Sequence, residues 1–255
     1  KSEALIAYQK AADLSPIDPK VFNNLGAALQ ELGRLEEAQK NFEKSITLRA
    51  DFAPAYFNLG VTLREKGKLE QAEANYIIAT AINPDYAEAH NNLGDTIQEQ
   101  GRLDEAILSY SQALALEPDF VPAHFSLGVT YGKMGRIKDA EASYLAVIAL
   151  SPEYAEAQHN LGVILFQQGK LEEAKWRFET ALKLRDEYSE AHCSMGVTLK
   201  EMGKLEEAES SFLQAIDIKS DYAEAYSNSG VTLKQQGRIE EAKLLLRKRT
   251  GLKPN

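Results

Sequence analysis

Residues 87–120 read AEAHNNLGDTIQEQGRLDEAILSYSQALALEPDF, and nearly the same pattern recurs every 34 residues along the chain. Two series of glycines hold this spacing without a slip: Gly26, Gly60, Gly94, Gly128, Gly162, Gly196 and Gly230, and Gly33, Gly67, Gly101, Gly135, Gly169, Gly203 and Gly237. A fixed period between about 20 and 50 residues indicates one supersecondary unit stacked on copies of itself. The sequence therefore predicts a repeat array rather than one globular core.

Each unit is predicted to be a helical hairpin. Its apolar residues recur with a helical period in two blocks, which a turn such as Gly101-Arg102 separates. The second helix carries alanine at the Ala106 position in every unit, which lets two helices approach closely. It also carries an aromatic residue at the Tyr110 position in all units but the last, and we expect these rings to join one hairpin to the next.

The period sets the predicted boundaries. Seven units follow one another at 19–52, 53–86, 87–120, 121–154, 155–188, 189–222 and 223–255. Residues 1–18 contain the second helix of an incomplete repeat, because Ala4, Tyr8 and Ala11 have the offsets of the alanine, aromatic and alanine of a full unit. We therefore expect an all-α fold of fifteen helices.

The two ends of the array are predicted to differ. In the last unit Leu246 replaces the aromatic residue and Arg249 replaces a small one, so its second helix is predicted to be a degenerate cap that ends at Thr250-Gly251. The helix in residues 1–15 has apolar side chains with little cover, so we expect weak self-association through it, or fraying. Because the chain opens at Lys1 without a methionine, it reads as a fragment or a processed product.

Composition narrows the choice of partner. The net charge of −9 is spread over all repeats and argues against nucleic acid, whereas a basic or apolar peptide fits. No apolar run approaches the length of a membrane span, so no membrane insertion is expected. Cys193 is the only cysteine, which excludes an internal disulfide and suits a reducing compartment, so we expect a cytoplasmic location.

The pattern resembles the tetratricopeptide repeat (TPR) over essentially the whole chain. Leu93-Gly94, Ala106, Tyr110 and Pro118 match the family's leucine-glycine pair, alanine, aromatic and closing proline. Departures are mild: the aromatic near the start of the first helix is replaced in four units by His90, His124, Gln158 and His192. The resemblance implies a right-handed α-solenoid, a superhelix of helix-turn-helix units, whose first helices line a concave groove that binds peptides and other proteins.

One side of the first helix is predicted to be free of packing within the hairpin. A projection at about 100° per residue places His90, Leu93, Gly94 and Ile97 in the core sector. The opposite side contains the positions of Glu88, Asn91, Asn92, Asp95 and Gln98. The candidate groove consists of asparagines at the Asn92 position, valines at the Asp95 position and two aromatics at the Asn91 position: Asn24, Asn58, Asn92, Asn160, Asn228, Val61, Val129, Val163, Val197, Val231, Phe57 and Phe125.

A row of asparagines suits an extended peptide, because each amide offers both a donor and an acceptor to the peptide backbone. The row resembles that of the repeat region of O-linked N-acetylglucosamine transferases, which implies that these asparagines hold a protein substrate. The alternative is structural: the asparagines bond to neighbouring backbone within the stack, and adjacent first helices partly cover the valines.

No catalytic, metal or cofactor site is predicted. His90, His124 and His192 stand where other units have aromatic residues, which indicates packing rather than metal binding. His159 and Cys193 occupy equivalent positions in adjacent units, but the sequence supplies neither an orienting group nor an oxyanion site. A clamp for a peptide carboxylate would need basic residues in adjacent units, and those on the first helices have acidic neighbours.

Two functions remain open. The chain is a protein-binding scaffold complete in itself, or it is the substrate-recruiting arm of a larger enzyme such as a glycosyltransferase, with the catalytic part outside these residues. In either case the partner is a protein or an extended peptide, and these residues themselves are not an enzyme.

Overall fold

The computed structural model describes residues 2–249, apart from the side chains of residues 2–4, 246, 248 and 249. These residues form fifteen α-helices and no strand, which confirms the predicted all-α fold. The helices are α1 Ser2–Leu14, α2 Pro19–Gln30, α3 Leu35–Leu48, α4 Ala53–Glu65, α5 Leu69–Ile82, α6 Ala87–Glu99, α7 Leu103–Leu116, α8 Val121–Lys133, α9 Ile137–Leu150, α10 Ala155–Gln167, α11 Leu171–Leu184, α12 Ser189–Glu201, α13 Leu205–Ile218, α14 Ala223–Gln235 and α15 Ile239–Arg249.

The chain divides into two compact units, Lys1–Met134 and Gly135–Asn255. The first contains α1–α8, and within it α2 pairs with α3, α4 with α5 and α6 with α7. The second contains α9–α15, and within it α10 pairs with α11, α12 with α13 and α14 with α15. No helix in residues 2–249 is long and apolar enough to cross a membrane.

A left-handed glycine ends each first helix and turns the chain into the second. At Gly101 φ is 82°, a conformation that side chains with a Cβ adopt at a cost. The Arg102 N–H donates to the Ile97 carbonyl over 3.2 Å, and the Gly101 N–H donates to the Gln98 carbonyl over 2.9 Å. These bonds satisfy carbonyls that the end of α6 would otherwise leave without a partner. Acidic residues follow in the first turn of the second helix, where the helix dipole favours negative charge.

The aromatic residue of each second helix packs against a glycine of its own hairpin. A Cβ added to Gly94 would lie 2.6 Å from Tyr110 Cε1, so only glycine leaves room for this ring. The same arrangement joins Gly26 to Phe42, Gly60 to Tyr76, Gly162 to Phe178 and Gly196 to Phe212. The ring therefore closes its own hairpin, a role that the sequence had assigned only to the contact with the next one. Ala106 and its six counterparts are fully buried, as the close approach of the helices requires.

Successive hairpins share their apolar cores. In the first unit, buried Leu25, Leu29 and Phe42 of one hairpin form a cluster with Leu59 and Tyr76 of the next. A single hairpin exposes such a face, so each hairpin depends on its neighbour for burial.

The two ends agree only in part with the sequence. Leu5 of α1 packs against the cluster in α2–α5, so the prediction that it lacks cover is wrong. Ile6 and Tyr8 are exposed, and self-association through this helix stays a prediction. The predicted cap rests on the side chains of Leu246 and Arg249 and on the stop at Thr250-Gly251, which lie outside the described residues.

Candidate functional site

The first-helix face is defined here by the side chains at the Asn92, Asp95 and Gln98 positions of each first helix. At the Asn92 position Asn24 is exposed, whereas Asn58, Asn92, Asn160 and Asn228 are partly buried. At the Asp95 position Val61, Val129, Val163 and Val197 are partly buried, and Val231 is 43% exposed. In each of the two compact units, these asparagines and valines thus present polar and apolar surface side by side.

The Asn91 position does not belong to this face. Asn91 is 5% exposed and Cys193 2% exposed, so both side chains are buried. The Phe57 ring lies 5.8 Å from the Tyr76 ring and 4.9 Å from the Tyr86 ring, measured between centroids. The prediction that this position is free of packing within the hairpin is therefore wrong. Phe57 is a packing residue, and Phe125 at the same position is also partly buried.

The rotation of successive residues around the helix axis explains this error. Asn91 is only three residues before Gly94, which packs against Tyr110, so the two positions lie on neighbouring sides of the helix. The sequence contained a signal for this packing: an aromatic residue stands 29 positions after the Asn91 position, directly before the start of the next first helix. Phe57 contacts Tyr86 in this way, and His159 lies 5.1 Å from the Tyr188 ring.

Side chains 35 residues apart join successive first helices. Asn58 Nδ2 donates to Asn23 Oδ1 over 3.0 Å, and Gln30 Nε2 donates to Glu65 Oε1 over 2.9 Å. The Arg64 guanidinium donates to the Glu99 carboxylate over 2.6 Å. Lys133 Nζ donates to Gln98 Oε1 over 2.7 Å, and His159 Nε2 bonds to Ser194 Oγ over 3.0 Å. The first-helix face is thus held by polar links between neighbouring repeats.

The asparagines of the candidate groove differ in their partners. Asn58 is bonded to Asn23, and Asn160 Nδ2 donates to the Tyr144 hydroxyl over 3.3 Å. The Asn228 side chain acts on the Cys193 thiol and lowers its pKa, although burial raises that pKa overall. Within residues 2–249, the side-chain amides of Asn24 and Asn92 have no hydrogen bond. The bonds of Asn58 and Asn160 run to side chains, not to the neighbouring backbone that the structural alternative assumed.

Asp95 is the one acidic residue at a position where most units have valine. Its Oδ1 accepts hydrogen bonds from the Tyr110 hydroxyl and from Ser126 Oγ, both over 2.9 Å. Arg64 lies 3.6 Å from its Oδ2. Burial raises the pKa of Tyr110, and the Asp95 charge raises it further. Asp95 therefore connects three first helices of the first unit to a buried tyrosine.

The second unit contains a cleft of about 280 Å³ between α10, α12 and the start of α14. Val163 and Phe166 of α10 and Val197 of α12 form its apolar wall. Glu190 and Glu224, near the starts of α12 and α14, supply its carboxylates. Two of the predicted groove valines thus line one concave site together with Glu190 and Glu224, which stand at the Glu88 position of the side predicted to be free of packing within the hairpin.

His159 and Cys193 both line this cleft, and His159 makes hydrogen bonds to two neighbouring side chains. His159 Nδ1 lies 3.2 Å from Asn160 Oδ1, which only accepts, so the neutral ring donates there and accepts from Ser194. Burial lowers the pKa of His159 and raises the pKa of the Cys193 thiol to about 11, so both are neutral at pH 7.

The three histidines near the helix starts hold the preceding loop. The Nε2 atoms of His90, His124 and His192 bond to the carbonyl oxygens of Pro84, Pro118 and Asp186 over 3.0, 2.8 and 3.1 Å. Each bond spans six residues, so the ring ties the end of one hairpin to the start of the next helix. In residues 2–249, no group of three or more His, Cys, Asp or Glu side chains is placed to hold a metal ion.

Solved structures with the same arrangement of helices cover much of the chain. The structure of the APC/C hetero-tetramer Cut9-Hcn1 has a TM-score of 0.78 at 17% identity and covers 91% of this chain, which spans 46% of that one. The structure of MamA has a TM-score of 0.58 at 28% identity, with 62% of this chain and 93% of that chain covered. YrrB, described as a TPR protein with an unusual peptide-binding site, has a TM-score of 0.58 at 22% identity, covering 72% and 95%.

Family models give the assignment, whereas no curated protein sequence matches the chain. A model described as TPR repeat matches residues 62–101, 95–135 and 133–169. Models described as tetratricopeptide repeat match residues 153–221, 7–40, 41–74 and 223–255. Most matches begin at other points of the period than our seven units, so the unit boundaries stay a prediction. Because the matches together span residues 7–221 and 223–255, the chain belongs to the tetratricopeptide repeat family.

Proposed function

We propose that this chain is an interaction scaffold that binds an extended segment of a partner protein along its first-helix face. The proposal rests on the side-chain amides of Asn24 and Asn92. Each side-chain amide has no hydrogen bond within the described part of the chain, although Asn58 and Asn160 of the candidate groove have partners. Polar side chains that make no hydrogen bond within the fold are available to bind a ligand.

The chemistry of the face suits a peptide backbone. An amide side chain donates through its nitrogen and accepts through its oxygen, so it pairs with the N–H and C=O groups of an extended segment whatever its sequence. Val61 and Val129 lie beside the asparagines and are partly exposed, so they offer apolar contact to the side chains of the segment. The backbone bonds give affinity, and the apolar contacts exclude water from them.

The comparisons support this type of partner. YrrB carries a peptide-binding site by its description, and its fold is similar to that of this chain. The net charge of −9 favours a basic or apolar segment over nucleic acid. We propose a binding role without catalysis or a cofactor, in the cytoplasm. The recruiting arm of a larger enzyme stays an alternative prediction and uses the same face.

Chemical-shift mapping tests the proposal. Peptides are selected from a phage-displayed library of random sequences, and one is titrated into the isotope-labelled chain. We expect the largest changes at backbone amides of α2, α4, α6 and their counterparts. Changes confined to the second helices, such as α5 and α7, would contradict the proposal, and so would a library that yields no binder.

A further inference from the structure

We propose that the cleft between α10, α12 and α14 is a subsite for two side chains of the bound segment, one apolar and one an arginine or lysine two residues away. The inference rests on the proposed function and assigns a sequence preference to one part of the face.

The apolar part of the cleft is large enough for one side chain. Val163, Phe166 and Val197 form the apolar wall of a cleft whose whole volume is about 280 Å³, just below the range for ligand pockets in general. Such a volume suits a leucine or a similar residue rather than a drug-sized molecule. These side chains are all partly exposed, so they gain burial when an apolar group enters.

The charged part of the cleft is negative. Glu190 and Glu224 line it, and among the described residues its lining contains no lysine or arginine. Glu224 has no hydrogen bond or ion pair among the described residues, and its charge reaches Cys193 inside the cleft. Glu190 accepts a hydrogen bond from Ser189 over 2.9 Å, which leaves further acceptor capacity on its carboxylate.

Two cations near the cleft, Arg185 and Lys219, already interact with other side chains. Arg185 lies 3.6 Å from the Tyr188 ring centroid and donates to Glu156 over 2.5 Å. Lys219 lies 5.2 Å from the Tyr222 ring centroid, and its charge acts on Glu190 without a direct bond that would occupy the carboxylate. A ligand cation therefore meets two carboxylates of which neither is held in a close ion pair, and charge-assisted bonds to them are stronger than neutral ones.

The geometry sets the spacing. Glu190 and Val197 are seven residues apart on α12, which is about 10 Å along the helix axis. In an extended segment, residues i and i+2 lie on the same side and are about 7 Å apart. The long stem of arginine or lysine spans the remainder, and it packs on apolar surface while its charged end reaches the carboxylates.

A peptide titration tests the subsite. The probe is Gly-Ser-Leu-Ser-Arg-Ser-Gly, and the readout is the shift of the methyl resonances of Val163 and Val197. We expect saturable shifts, with an affinity roughly tenfold higher than for the same peptide with glutamate in place of arginine. Glu190→Gln with Glu224→Gln should remove this preference. The control Glu206→Gln with Glu207→Gln makes the same charge change on exposed residues that open α13, and it should preserve the preference.

Equal shifts for the arginine and glutamate peptides would overturn the subsite, and so would equal losses in the two double variants. Loss of binding to all peptides in both variants would also overturn it, because the effect would then not be local. The proposed function fails separately. If selected peptides still bind through Asn24 and Asn92 while the arginine peptide shows no preference, only the subsite is wrong.

Discussion

Asn58 Nδ2 donates a hydrogen bond to Asn23 Oδ1 over 3.0 Å, and the two residues are 35 apart in sequence. The repeat period is 34, so this bond joins a residue of one first helix to the neighbour of its counterpart in the next. Four other side-chain pairs with the same separation join first helices within the two units. Some groove asparagines therefore hold the stack together, while others remain available to a ligand.

The first prediction separates these two roles by stability. Asn23 is only 9% exposed, and Asn58→Ala leaves its Oδ1 without its hydrogen-bond donor. We expect the free energy of unfolding to fall by about 1–3 kcal/mol, the cost of an unsatisfied buried polar group. The matched control is Asn24→Ala, which should change it by less than about 0.5 kcal/mol because Asn24 is exposed. Urea denaturation followed by circular dichroism measures both, and equal effects would show that the link is not structural.

The second prediction concerns glycine in the first helices. Gly94→Ala places a Cβ 2.6 Å from Tyr110 Cε1, and the ring is held by its bond to Asp95. We expect a loss of about 1–3 kcal/mol of unfolding free energy from overpacking. Gly132 is a helical glycine, and apart from its chain neighbours and its own helix backbone no atom of the described residues lies within 4 Å of such a Cβ, so Gly132→Ala should stabilise by about 0.5 kcal/mol. Thermal melting of the two variants checks the pair, and destabilisation by both would indicate a general intolerance of alanine.

The third prediction concerns the carboxylate of Asp95. Asp95→Val, the residue of most other units, leaves the buried Tyr110 hydroxyl and Ser126 without an acceptor. The expected cost is about 1–3 kcal/mol. Tyr110→Phe in the same chain removes the orphaned hydroxyl and recreates the valine-phenylalanine pair of residues 163 and 178, so it should restore part of that stability. A double-mutant cycle measures the coupling. Additive effects would mean that the hydrogen bond contributes nothing to folding.

The fourth prediction concerns pH. Burial lowers the pKa of His159 below the ordinary histidine value of about 6.5, so at mildly acidic pH the unfolded chain binds this proton more readily than the folded one. The stability that the neutral ring supports is complete above that value and is lost as the pH falls below it. Between about pH 7.5 and 5.5 the native chain should lose more unfolding free energy than the His159→Phe variant. Phenylalanine is the residue at the equivalent position of two other repeats, Phe57 and Phe125. Burial also lowers the pKa of His192, but that residue is present in both proteins and cancels in the difference. An equal loss in both proteins would refute the assignment.

The fold was predictable because it depends on period and residue size. The spacing of Gly94, Ala106 and Tyr110 specifies which residues approach closely, and the burial of these three follows from it. The links between first helices were not predicted, because a period of 34 aligns equivalent residues, whereas Asn23 and Asn58 are not equivalent. The cleft was not predicted either: a helical projection places Glu190 and Val197, seven residues apart, on the same side of α12, but it does not show which neighbouring helix completes a cavity.

The most direct test of the proposed function compares two double variants by isothermal titration with one library-selected peptide. Asn24→Ala with Asn92→Ala removes the two unbonded amides of the first-helix face, and we expect the affinity to fall roughly 5- to 150-fold, as the loss of two hydrogen bonds implies. The control, Asn41→Ala with Asn75→Ala, removes second-helix asparagines that donate to the Glu37 and Gln71 carbonyls, both over 2.8 Å. It should bind as the native chain does. Unchanged affinity in the first variant, or an equal loss in the second, would contradict the account.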